Sequence, residues 1–172
     1  MAKYYGSMVG APSQGPTYPG ISNFCKDGRD DILMRDKLAL TGANAIGDVI
    51  SLGTFKATAL LSASGCVLWN DALAAGATLN IGDATYASGL AAGVSLAAKQ
   101  TVSLWQTFGA SKLAIPLWQA LGYAYGPDYG PGDAPPPAGA VLPGRTIELL
   151  ATLAGAAPGA GSIAWQILGL NR

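Results

Sequence analysis

Two stretches near the end of the chain decide its fold: Thr146-Ile147-Glu148-Leu149-Leu150-Ala151-Thr152-Leu153 and Ile163-Ala164-Trp165-Gln166-Ile167-Leu168. In the first, Ile147, Leu149, Ala151 and Leu153 face one way, against Thr146, Glu148, Leu150 and Thr152. In the second, Ile163, Trp165 and Ile167 alternate with Ala164, Gln166 and Leu168. Successive side chains of a strand point to opposite faces, so a period of two marks strands with one buried face. The Gly-, Ala- and Pro-rich residues 154–161 join them, and the pair reads as a hairpin with a small-residue loop.

The same signature recurs upstream in residues 35–40, 48–53, 77–82 and 100–105. Residues 66–71 are apolar on both sides in the middle and read as a central strand covered on both faces. Helical periodicity is scarce. The Ala-rich stretches 71–76 and 84–98 are broken by glycines and hold single turns at most. The best short helix is residues 116–122, with Pro116 at its start, Leu117 and Leu121 four apart, and Gly122 as its stop. Seven or eight short, regularly spaced strands predict an all-β fold with very little helix: a β-sandwich of jelly-roll or Greek-key type over residues 35–172.

Residues 1–34 read as an extended N-terminal arm, because Pro and Gly interrupt any regular helix or central strand there. A flexible tail is usually poor in aromatics, whereas this segment carries Tyr4, Tyr5, Tyr18 and Phe24. Aromatics on a Pro-stiffened segment give a docking arm large contact area at low entropic cost. The candidate arm contacts are Tyr4, Tyr5, Tyr18, Ile21 and Phe24. The alternating charges of Cys25-Lys26-Asp27-Gly28-Arg29-Asp30-Asp31 read as a solvated turn that ends the arm. Residues 123–144, with three successive prolines at 135–137, read as a surface loop. Tyr123, Tyr125 and Tyr129 on it are possible contacts or plain spacers.

Composition adds exclusions. The 172 residues carry ten Lys plus Arg against ten Asp plus Glu, no histidine, and only 12% charged residues. A neutral chain has no electrostatic reason to bind nucleic acid. Without histidine there is no usual general base, and with Glu148 as the single glutamate, paired-carboxylate chemistry would rest on aspartates. No phosphate-cradling glycine motif or nucleophile elbow occurs, so an enzyme is not expected, nor a cofactor. Asp128 and Asp133 lack calcium-loop spacing, and no metal is expected. Cys66 sits in an apolar run and reads as a buried hydrophobe, and nothing near Cys25 except Lys26 would activate it. The tryptophans could form a sugar platform, but three of the four lie in apolar alternation and read as core. No apolar run is long enough for a membrane span, and no secretory leader is expected. So little charge on so apolar a chain predicts surface covered by copies of itself or by a partner.

Residues 35–40, 47–53, 71–83, 116–122 and the final strand pair at 147–153 and 160–163 together resemble the small decoration, or cement, proteins and related minor head proteins of tailed bacteriophages. The resemblance covers roughly residues 35–172 and rests on turn and alternation residues; the Tyr-bearing arm and the Pro-rich insertion depart from it. It implies a homotrimeric sandwich on the outside of a phage head, made in the bacterial host cytoplasm. Its partner would be the major capsid protein, whose neighbouring subunits it would bridge. The alternatives are a host-surface or carbohydrate-binding virion module using the 123–144 loop, or a neck or tail component. Removal of residues 1–34 is expected to leave a folded domain that no longer binds particles.

Overall fold

A computed structural model describes residues 2–5, 22–26, 29–127 and 144–170. The alternating stretches at the C-terminal end form β10 (Thr146–Gly155) and β11 (Ala160–Leu170), and each is the middle strand of a different sheet. The first sheet runs β1 (Lys3–Tyr5), β4 (Val49–Lys56), β10, β7 (Ala77–Gly82), β8 (Ala91–Ser95). The second runs β2 (Ser22–Lys26), β3 (Arg29–Thr41), β11, β6 (Val67–Asn70), β9 (Gln100–Ser103), with the short β5 (Leu60–Leu61) also on β11. The β1–β4 pair is parallel and every other pair is antiparallel. The protein is an all-β sandwich.

The expected terminal hairpin is therefore an arch. Residues 156–159 carry the chain from one sheet to the other, because the apolar faces of β10 and β11 bury each other across the core instead of lying side by side. Leu149, Ala151 and Leu153 are buried on one side, Ile163, Trp165 and Ile167 on the other. Trp165 is fully buried, and its indole Nε1–H donates to the Leu52 carbonyl at 3.1 Å, a polar tie between the sheets.

Strand β3 runs from Arg29, in register from Ile32 opposite Gly169 to Thr41 opposite Ala160, so the expected arm boundary at residue 34 falls inside it. β2 pairs with it from Ser22 opposite Leu33 to Lys26 opposite Arg29, and the charged cluster read as a turn thus includes strand residues on both sides. The described residues before β3, on β1 and β2, form edge strands of the sandwich. β6 is central, as expected, but covered on one face only: Leu68 and Asn70 are buried, Val67 and Trp69 half-exposed. The strand expected over 100–105 ends at Ser103, and Leu104 opens α1 (Leu104–Phe108), followed by α2 (Ala110–Leu113). Leu104 and Phe108 are both buried, the i, i+4 pair of one helical face. The short helix appears as α3 (Leu117–Leu121), closed by Gly122 at φ 112°. Gly53 in β4 has φ 128°, and a Cβ there would lie 2.6 Å from Met34 Cγ. It sits where the β4–β10 register shifts between Leu149 and Leu150, an irregularity that only glycine fits.

Candidate functional site

The most elaborate side-chain construction at a sheet edge seats the N-terminal strand. A three-residue parallel strand gains little from its ladder alone, and here polar side chains supplement it. Asp48, buried at the turn before β4, accepts the Ala2 N–H at Oδ1 (2.8 Å) and the Ala45 N–H at Oδ2 (2.9 Å). The Tyr4 hydroxyl also bonds it. The backbone closes the seat, with Val49 N–H donating to the Ala2 carbonyl at 2.8 Å. The Ala45 and Ala2 amides hold the Asp48 carboxyl below the usual carboxylate range, and burial followed by Asp48 pushes the Tyr4 phenol up. Further along the same edge, Glu148 of β10 accepts Ser51 Oγ–H at 2.6 Å and pairs with Lys3 Nζ at 2.6 Å. Both Lys3 and Glu148 are more than a third exposed, so that ion pair adds little on its own.

Of the residues expected to make contacts, Tyr4 is half-buried and engaged with Asp48 in the same chain. Tyr5 and Phe24 lie on β1 and β2, while Tyr18, Ile21 and Tyr129 fall outside the described residues. Tyr123 is a correction. It was expected on a surface loop but is only 4% exposed, because its hydroxyl donates to the buried Asp83 Oδ2 at 2.6 Å. Its ring meets Tyr86 edge-on at 4.8 Å. Tyr125 is half-buried. Asp48 and Glu148, which seat the arm, were missed as site residues. The signal for Asp48 was an aspartate directly after the turn glycine Gly47, a place where short carboxylates bind backbone N–H groups.

Cys66 is buried, and burial pushes its thiol up to about 11, against thiolate chemistry. Among the described residues, no three of His, Cys, Asp and Glu come together as a metal-holding group. No helix among them is long and apolar enough to cross a membrane. A cleft of about 370 Å³ lies over the second sheet, beside Trp69, Lys37 and Lys99. Compared with protein-family models, with curated proteins and with solved structures, the chain gives no match.

Proposed function

We propose that this chain is a virion structural protein that cements a phage-like shell, docking on the major capsid protein and bridging its neighbouring subunits as a homotrimer. The observation that carries the proposal is the seating of the N-terminal segment. It contributes an edge strand to each sheet, and β1 joins by parallel strand addition with Lys3, Tyr4 and Tyr5 opposite Val49, Ile50 and Ser51. Strand addition is a general way for an extended segment to grip a partner, and exchange of such a strand between copies carries little energetic cost. The strand order supports a jelly-roll reading of the sandwich: with β3, β4, β6, β7, β8, β9, β10 and β11 numbered one to eight, the sheets run 1-8-3-6 and 2-7-4-5. Capsid domains share this architecture with lectins and cupins, so the fold supports the proposal without deciding it.

The position of β3 dictates the truncation that tests it. Deleting residues 1–34 would remove part of a strand paired to β11, so the informative deletion is residues 1–21, which keeps the β2–β3 hairpin. Shells assembled from the proposed partner, a major capsid protein, are expected to carry the full-length protein in hundreds of copies and to lose the truncated one. The truncated protein should stay folded by circular dichroism. Undiminished occupancy by a folded 1–21 deletion would overturn the arm's role, and no occupancy by the full chain would overturn the cementing function.

A further inference from the structure

The cleft over the second sheet is built by cross-strand register. Lys37 of β3 lies opposite Ala164 of β11, Ala164 opposite Trp69 of β6, and Trp69 opposite Thr101 of β9. Side chains directly opposite on one face are neighbours, so the row reads lysine, methyl, indole, hydroxyl. The methyl of Ala164 leaves a trough between the ammonium stem and the indole, and Trp69 is half-exposed along it. The neighbouring row holds Ser162 and Asp71, joined twice: Ser162 N–H and Oγ–H both donate to Asp71 Oδ2, at 3.0 and 2.6 Å. Lys99 and Gln100 close the far side.

The unused valences of this cleft specify a ligand. Lys37 and Lys99 are exposed and lie near enough to Asp71 to favour its charged form, yet neither has an ion-pair partner among the described residues. Ser162 occupies Asp71 Oδ2, leaving Oδ1 as an acceptor. Thr101, opposite Trp69 on β9, brings a hydroxyl to the same face. Two cations ask for an anion. Acceptors beside them ask for hydroxyl donors, which a bare phosphate or sulfate lacks, and a flat indole asks for an apolar ring face.

We infer that this cleft binds an acidic pyranose, a sugar ring bearing a carboxylate, stacked on Trp69. Its carboxylate is held between Lys37 and Lys99, and its hydroxyls donate to Asp71 Oδ1 and the Thr101 hydroxyl oxygen. The site lies on the outer face of the second sheet, away from the β1 seat, and stands whether or not the chain binds a shell.

The test is a titration of the full chain with trigalacturonate, followed by amide and indole NMR shifts, with maltotriose and inorganic phosphate in parallel. Trigalacturonate is expected to move the Trp69 indole N–H and the amides of Asp71 and Gln100, and to bind at least about tenfold more tightly than maltotriose. The double variant Lys37→Gln/Lys99→Gln, confined to exposed side chains, should keep the fold and lose at least about tenfold in affinity. A folded Trp69→Ala should lose binding as well. Equal binding of maltotriose, equal shifts with phosphate, undiminished binding by the lysine double variant, or no shift at about 10 mM trigalacturonate would each overturn the inference.

Discussion

Replacing Tyr123 by phenylalanine separates a structural tyrosine from a contact tyrosine. The ring is retained, and with it the edge-on packing on Tyr86 at 4.8 Å and the burial within the core. Only the hydroxyl is lost, together with its 2.6 Å bond to Asp83 Oδ2. Asp83 is itself buried, and its other oxygen is already committed to the Thr85 and Tyr86 N–H groups at 3.0 and 2.6 Å. The variant therefore leaves one carboxylate oxygen inside the protein without its donor. A hydrogen bond to a charged, buried group contributes about 1.5–3 kcal/mol, and in a chain of this size that lowers Tm by roughly 3–12 °C. The pH dependence gives a second readout. Burial first, and then Asp83, raise the Tyr123 phenol from 10.0 to about 12. A group whose folded pKa is raised contributes its stability below the unfolded value and loses it as pH climbs through the folded one. The stability difference between wild type and Tyr123→Phe should thus be constant below pH 10 and close between pH 10 and about 12. Urea titrations of both proteins across this range measure it. A Tm within about 1 °C of wild type, accompanied by loss of particle binding, would refute the structural assignment and restore Tyr123 as a contact.

Two further outcomes follow from the same geometry. Gly53→Ala should cost about 1–3 kcal/mol of stability, read as a lower urea midpoint with an unchanged slope, since φ 128° and the Met34 side chain both oppose a Cβ; an unchanged midpoint would show that the β4 irregularity tolerates a side chain. Cys66, buried and with its thiol raised to about 11, should resist iodoacetamide at pH 8 in the native protein and react in urea. Peptide mapping checks this, and equal native labelling at Cys66 would mean that the segment opens readily.

The fold was legible where large apolar side chains alternate with polar ones. Leu79 and Ile81, or Ile163, Trp165 and Ile167, can bury a face only as strands, and they do. It was illegible where side chains are small: β8 contains Ala91, Ala92 and Gly93 and only one large residue, Val94, so no period shows. The α1 start was hidden because Leu104 satisfies both the strand alternation of residues 100–104 and the helical pairing with Phe108. Alternation also cannot say which sheet a strand joins. A Gly- and Pro-rich connection serves a hairpin or an arch equally, and the choice between them for β10 and β11 is made by the core. The candidate cleft was illegible for a related reason. Trp69 looks like core among Val67 and Leu68, and only pairing with Ala164 reveals an uncovered face.

The scarcity of charge, which in the sequence reads as an exclusion, acquires a positive meaning once the partners of each polar group are known. Asp48 holds the N-terminal strand and the turn at Ala45; Asp83 holds the turn at Thr85–Tyr86 and the core tyrosine. Asn44 accepts the Thr41 N–H, and the Asn70 amide donates to the Leu96 and Ala98 carbonyls. These side chains fasten connections at the ends and edges of the sandwich, where backbone groups have no ladder partner. A chain that uses its few polar side chains this way has few left over, so those with unfilled valences on one face stand out. Lys37, Lys99 and Asp71 Oδ1 lie around one half-exposed indole, on a sheet face the core does not need. Substituting the fastening aspartates should therefore cost stability, whereas substituting the two lysines should cost binding and leave the fold intact.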